Sequence, residues 1–430
     1  MTDRNISICV PALTRVEGEG ALRLRIKDQR IEEIALDIFE PPRYFEKFLE
    51  GRQHHEVIEI VARICGICPV AYQLSAVQAL EQIFALDSTA WVNDMRRLFY
   101  CGEWLQSHAL HVHLLAAPDY LGFENVIDMA AKHPDLVERG LAIQALGNEL
   151  IRLLGGRSVH PVGARVGGFF HAPALSEIAP LLSRLRNALP DAEALVEWAA
   201  SLDLPGGPQT FTSLALRHPN EYPMMSGQLV SDSGLDIGKE HFADHVAESH
   251  QPHSTALFAL LHDEPYLVGP LARLNINHDR LPHSSRALLD RSGIKLPGRD
   301  PFLSLFARTL EIHVALVEAI RLLEHYHVPE QSFREPTIGG GIGFGATEAP
   351  RGLLWHRYEL DERGIVKTAR IIPPTSQNQA RIADDLSTSL IAFGLDKPEP
   401  AVRHHAERVI RNYDPCISCA THFLTLDIQR

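Results

Sequence analysis

Two Cys-x-x-Cys pairs, Cys65/Cys68 and Cys416/Cys419, stand near opposite ends of the 430-residue chain, with 347 residues between them. Each such turn brings two sulfurs close enough to share one metal ion, and two turns can complete a four-thiolate site. A zinc ribbon spaces its pairs only about 15 to 20 residues apart. Here the whole intervening fold must close before four sulfurs can meet, which a small staple does not require. Structural zinc and a disulfide pair remain alternatives on spacing alone. Soft thiolates suit nickel and the iron of iron–sulfur clusters equally well. Four thiolates on a divalent ion leave a double negative charge, so a second cation or positive side chains must lie nearby. Arg63, two residues from Cys65, is one candidate and equally an ordinary surface arginine.

Six cysteines are too few for a disulfide scaffold at this length, and the two outside the pairs, Cys9 and Cys101, are too few for a four-cysteine iron–sulfur cluster. A formal net charge of −13 disfavours nucleic acid as a partner. With 45% hydrophobic and 22% charged residues the chain has ample material for a core. No window approaches the roughly 18 to 20 apolar residues of a membrane span, and the first twenty residues lack a secretory pattern. A cytoplasmic protein with no transmembrane segment is expected. Length alone allows roughly three domains. No linker, repeat or low-complexity tract divides the chain, so residues 1–430 are expected to form one unit.

Leu22, Leu24 and Ile26 alternate with charges, and Ile34, Leu36 and Ile38 follow a polar turn, which predicts a β-hairpin. From about Pro42 the pattern becomes helical. Pro134 and Asp135 open a helix stopped by Gly155-Gly156. A second helix is expected from Asp300 as N-cap and Pro301 as first residue to about Tyr326, apolar over much of its circumference and hence central. LLWHRYEL, the turn DERG and IVKTARII predict a late hairpin. Residues 201 to 300 show no clear periodicity. The expected fold class is mainly α (α+β), a large helical bundle core with β-hairpins near the N- and C-terminal ends.

The segments RICGIC (63–68), DPCISCATH (414–422) and LTRVEG (13–18) resemble the large, catalytic subunit of nickel–iron hydrogenases. PRYFEKFLEGR (42–52), HALHVHLLAAPDYLG (108–122), GGRSVHPVGARVGG (155–168) and EAPRGLLWH (348–356) extend the resemblance in the expected order over residues 13 to 422. The resemblance implies that Cys65 and Cys416 are terminal ligands of nickel, while Cys68 and Cys419 bridge it to an iron carrying carbon monoxide and cyanide. Glu17 would relay protons beside Cys416. Glu46 and His422, with a main-chain carbonyl near Arg370, would bind magnesium (or iron) near the C-terminus. Arg351, after Pro350, would hold its guanidinium over the open metal face, and Asp119 would form a canopy with it. Thr375 would face the cyanides.

Two positions depart from the family pattern. Tyr72 stands where a histidine is common, four residues after Cys68, and Pro373-Pro374-Thr375 replaces Pro-Ser-Thr. These changes are more like the cytoplasmic, NAD(P)-linked bidirectional and sulfhydrogenase group than the membrane-bound uptake enzymes. The implied reaction is reversible heterolytic cleavage of dihydrogen. Its electrons must leave through a partner, an iron–sulfur small subunit near residues 155–168, and on to an NAD(P)-reducing flavoprotein and iron–sulfur module. Nickel-insertion factors and a maturation endopeptidase that removes residues 423–430 are also implied. A hydrogen-sensing homologue of low turnover, or a structural or redox zinc-thiolate protein, are the competing readings.

Overall fold

The computed structural model describes residues 5–421. Strands Gly20–Lys27 and Arg30–Ile38 form the expected first hairpin. Its turn residues Asp28 and Gln29 are both left-handed, φ 51° and 58°, the turn geometry that follows the natural twist of paired strands. A third strand, Asn5–Val10, pairs with the first member, turning Ile6, Ile8 and Val10 inward.

The helix Pro134–Gly155 has the boundaries its signals predict, with Gly156 closing it in a left-handed cap, φ 74°. The second expected helix runs Leu303–Glu324, starting later and ending earlier than Asp300 and Tyr326 suggest. The Asp300 carboxylate accepts the Phe302 N–H at 2.9 Å, so residues 301–302 form a turn ahead of the helix. Leu305, Phe306, Ile312 and Leu316 are buried, and so are Arg308, Glu311 and His313 of the same helix.

The Pro69–Ile83 helix begins one residue after Cys68 and is buried almost all round. The Glu103 carboxylate accepts the Val70 and Ala71 N–H groups at 2.6 and 3.1 Å, satisfying two of the donors that a helix start leaves open. Strand Gly341–Ala349 lies against this helix. A Cβ on Gly345 would sit 1.9 Å from the Ser75 carbonyl oxygen, and one on Gly343 would sit 2.1 Å from that of Ala79. Only glycine permits so close an approach. The strand continues into Gly352–Leu360 and Val366–Ile372, so the expected late hairpin is the outer part of a three-stranded sheet. Ala349 pairs with Gly352, which leaves Pro350 and Arg351 as a two-residue turn.

Residues 201–300 hold short strands. Thr212–Arg217, Gln228–Ser231, Asp236–Ile237 and Tyr266–Leu267 make one sheet, and Val246–His250 with Leu257–Leu261 makes a hairpin. The architecture is mainly α with small sheets. All four paired cysteines belong to its largest buried apolar cluster. No described helix is long and apolar enough to cross a membrane.

Candidate metal centre

Cys65 lies in the turn before the Pro69–Ile83 helix and Cys68 is that helix's N-cap. Cys416 is the N-cap of a single helical turn, Ile417–Ala420, which carries Cys419. The four sulfurs lie within 4.8 Å of one another and are buried. Sγ–Sγ separations are 3.4 Å for Cys65–Cys416, 3.8 Å for Cys68–Cys419 and 2.7 Å for Cys416–Cys419. Burial and thiol neighbours hold the Cys416 thiol well above its ordinary pKa, whereas hydrogen bonds from the Cys416, Cys419 and Cys68 thiols draw Cys65 well below. Four converging soft donors fit a soft or borderline metal.

The second pair is tied to distant segments by polar contacts. Glu17 Oε2 accepts both the Cys416 thiol and the Ser418 N–H at 3.1 Å, and its carbonyl accepts the Ile417 N–H at 3.0 Å. Thr375 Oγ1 accepts the Cys416 N–H at 3.0 Å, leaving its own O–H to donate. The Arg43 guanidinium donates to the Ile64 carbonyl at 2.6 Å and also to the Ser418 carbonyl, stitching the two cysteine segments together.

Arg351 is buried, with Nε donating to the Asp414 carbonyl at 2.6 Å and Nη2 to its carboxylate at 3.0 Å. Its Nη1 has no hydrogen-bond partner among the described residues. Burial opposes its charge, but Asp414 and the sulfurs of Cys416, Cys65 and Cys68 more than offset this and raise its pKa. Arg351 is therefore the cation facing the thiolates. Arg63, in the turn that follows the His54–Val61 helix, is instead turned back to the Glu59 carbonyl of that helix. Asp119 does not pair with Arg351. Its carboxylate lies between Arg15 at 2.5 Å and Arg411 at 2.7 and 2.9 Å. The Ala117–Leu121 helix sets it there, where it joins the segments that lead to Glu17 and to Cys416.

Glu46 accepts the Ile371 N–H at 2.6 Å, which sets it beside the residue that follows Arg370. Burial pushes its carboxyl up to about 7, against the pull of that hydrogen bond and of Arg370. His422 lies outside the described residues. The Arg43 N–H donates to the Thr421 carbonyl at 2.7 Å, bringing the preceding residue close to the Phe45–Leu49 helix that bears Glu46. The Tyr72 phenol is buried, with no hydrogen-bond partner among the described residues. Its pKa is raised first by burial and then by the Cys419 and Cys68 sulfurs. Cys101 is buried in the Ala90–Leu110 helix and Cys9 lies exposed on the first strand.

Comparison with known proteins decides the family. The profile of the Nickel-dependent hydrogenase family matches residues 43–144 and 301–422. The chain belongs to the nickel-dependent hydrogenase family. It is 32% identical to sulfhydrogenase 1 subunit alpha of Pyrococcus furiosus, over 99% of this chain and 100% of that relative. Identity to subunit beta of the NAD-reducing hydrogenase HoxS of Cupriavidus necator is 27%, over 97% and 95% of the two chains. A solved NAD+-reducing [NiFe]-hydrogenase in its H2-reduced state superposes with a TM-score of 0.88, at 28% identity, covering 97% of this chain and 99% of that one.

As a large subunit of this family, the protein is an oxidoreductase acting on dihydrogen, and its thiolate cluster suits a nickel–iron centre. Three features of this hydrogenase chain escaped the sequence reading. Asp414 is the partner of Arg351, and its place two residues before Cys416 was the available signal. Arg43 had a signal only in lying within a matched motif. Arg273, fully buried, donates to the Ala349 and Pro350 carbonyls at 2.7 and 3.0 Å and pairs with Glu311 and Glu348. It grips the turn immediately before Arg351. Pro350 contributes that carbonyl. No local pattern marked Arg273.

Proposed function

We propose that residues 1–430 act as one unit whose four paired cysteines hold nickel and iron, with Cys65 and Cys416 terminal on nickel and Cys68 and Cys419 bridging. The iron carries carbon monoxide and cyanide. Bound nickel and iron supply the open coordination position at which dihydrogen is polarised and split heterolytically. Arg351 Nη1, buried and free to donate, orients the open face and complements its negative charge. Asp414 fixes the guanidinium. Pro350 and Thr375 line the diatomic ligands, with Thr375 also orienting the Cys416 backbone.

A proton left on the Cys416 sulfur passes to Glu17 Oε2 across the 3.1 Å contact and then outward, since Glu17 is only half-buried. That contact is the observation that carries this reading. Asp119 acts at a distance, holding Arg15 and Arg411 so that the Glu17 and Cys416 segments stay in register. Glu46 and His422, with the Arg370 carbonyl, bind magnesium or iron, and residues 423–430 are removed on maturation.

Cys9 and Cys101 cannot hold a cluster, so electrons leave through an iron–sulfur small subunit. Two of the similar proteins are named as NAD-reducing, which supports transfer onward to NAD(P), and a flavoprotein and iron–sulfur module would carry it. The absence of a membrane-spanning helix among the described residues is compatible with a cytoplasmic site. Glu17→Gln tests the relay. It is expected to lower hydrogen-dependent dye reduction by about a hundredfold or more, with nickel content and melting temperature unchanged. Undiminished turnover in that variant would remove Glu17 from the path.

A further inference from the structure

Five histidines fall within residues 241–262, far in sequence from every cysteine of the metal centre. Two of them converge. His245 Nδ1 and His262 Nε2 lie 2.7 Å apart, their ring centroids separated by 5.0 Å and the planes crossed at 64°. Both are anchored on one hairpin. Strands Val246–His250 and Leu257–Leu261 pair up to Val246–Leu261, and the His262 N–H donates to the His245 carbonyl at 3.1 Å. The rings are therefore neighbours across the end of the ladder and need little reorganisation to act together.

The backbone that presents His262 is unusual. Leu261 and Glu264 exchange two hydrogen bonds of 3.0 Å around a two-residue turn, His262-Asp263, with φ 50° and 66°. Asn-Gly is the favoured pair for a turn of this hand, because left-handed φ costs side-chain-bearing residues free energy. A histidine and an aspartate stand there instead. Left-handed strain borne outside glycine is a reason to look for function at the residue it displays.

We propose that His245 and His262 form a surface site for a divalent transition ion of the imidazole-binding kind, nickel or zinc, separate from the thiolate centre. Two imidazole nitrogens so close cannot both carry protons against each other, so at least one presents a lone pair. With metal–nitrogen bonds of about 2.1 Å, ligand nitrogens in a tetrahedral or octahedral shell stand about 3 Å apart. Ring rotation widens 2.7 Å to that value and turns both lone pairs onto the ion, and the one proton between the rings moves to its own ring's other nitrogen. Water completes the shell, because His262 is exposed and His245 half-buried. Imidazole donors favour nickel, zinc and copper over magnesium or calcium.

The test uses the matured holoenzyme, whose thiolate centre is already filled. Nickel chloride is titrated into wild type, His262→Asn and His245→Gln, and bound nickel is counted after desalting. Asparagine tolerates left-handed φ, so the turn is retained. Wild type is expected to take up one more nickel equivalent than either variant, with hydrogen-dependent dye reduction unchanged in both. Equal uptake in all three proteins overturns the proposal, as does no uptake beyond the centre in wild type. A second measurement needs no variant. Nickel is expected to protect His245 and His262 of the wild-type holoenzyme from acylation by diethylpyrocarbonate, read by mass spectrometry, while exposed His325 reacts as before. Unchanged modification of His245 and His262 also overturns it.

Discussion

The two cysteine pairs reach the same centre by different means. Cys65 and Cys68 lead into a helix buried on nearly every face, its first amides capped by Glu103 and its flank covered by a glycine-bearing strand. Cys416 and Cys419 sit on a four-residue turn held by side chains from remote segments: Glu17, Arg43, Thr375 and, through Asp414, Arg351. Packing fixes the first half, and polar clamps fix the second. A half held by a few directional bonds can be assembled last, when a large metal group must first enter a buried pocket. A helix packed to interior density has no such freedom.

This contrast can be broken at several points. The largest effect is expected from the ligands. Cys68→Ser and Cys416→Ser should each abolish hydrogen-dependent dye reduction and bring nickel to background by elemental analysis. If either half alone retained stoichiometric nickel, closure of the site by both ends of the chain would be wrong. Next comes the packed interior. Arg273→Ala leaves Glu311 and Glu348 buried without their shared cation, a change that costs about 3 to 5 kcal/mol and should appear in denaturant unfolding. Arg273 holds Glu311 ionised, its carboxyl drawn down to about 2 against the opposing effect of burial.

A clamp should behave otherwise. Arg43→Lys keeps the charge but loses the guanidinium whose Nη2 reaches both the Ile64 and Ser418 carbonyls. Nickel affinity is expected to fall by about 10- to 100-fold, while the melting temperature moves far less than for Arg273→Ala. The smallest effect lies beside the approach to Cys416, where Asn412 donates to the Pro301 carbonyl at 2.9 Å. Burial lifts Asp300 from 3.8 to about 6. A carboxyl raised on folding disfavours the folded state once pH exceeds its unfolded value, and the penalty levels off above about 6. Asp300→Asn should therefore gain about 1 kcal/mol at pH 7, allowing for its partial exposure, and nothing near pH 3.5. Thermal melts at the two pH values check it.

What could be read from sequence follows the same division. The two cysteine turns, the Pro134–Gly155 helix and the alternating hairpins carry local signals, and the structure forms them. The Pro69–Ile83 helix, buried almost all round, has too little polar face to set a period. Strand Gly341–Ala349 carries little strand signal because the glycines that let it touch that helix are poor strand formers. The sheet of residues 212–267 uses strands of two to six residues, some too short for alternation to show. At the site, Glu17 and Arg351 lie within legible motifs, LTRVEG and EAPRGLLWH. The exchange of partners, Asp414 for Asp119 at Arg351, depends on which acids the closed fold brings together.

Infrared spectroscopy of the purified, matured protein tests the nickel–iron assignment most directly. A nickel–iron centre on these four sulfurs predicts carbonyl and cyanide stretching bands that shift under hydrogen. A nickel-loaded sample with neither set of bands would contradict it.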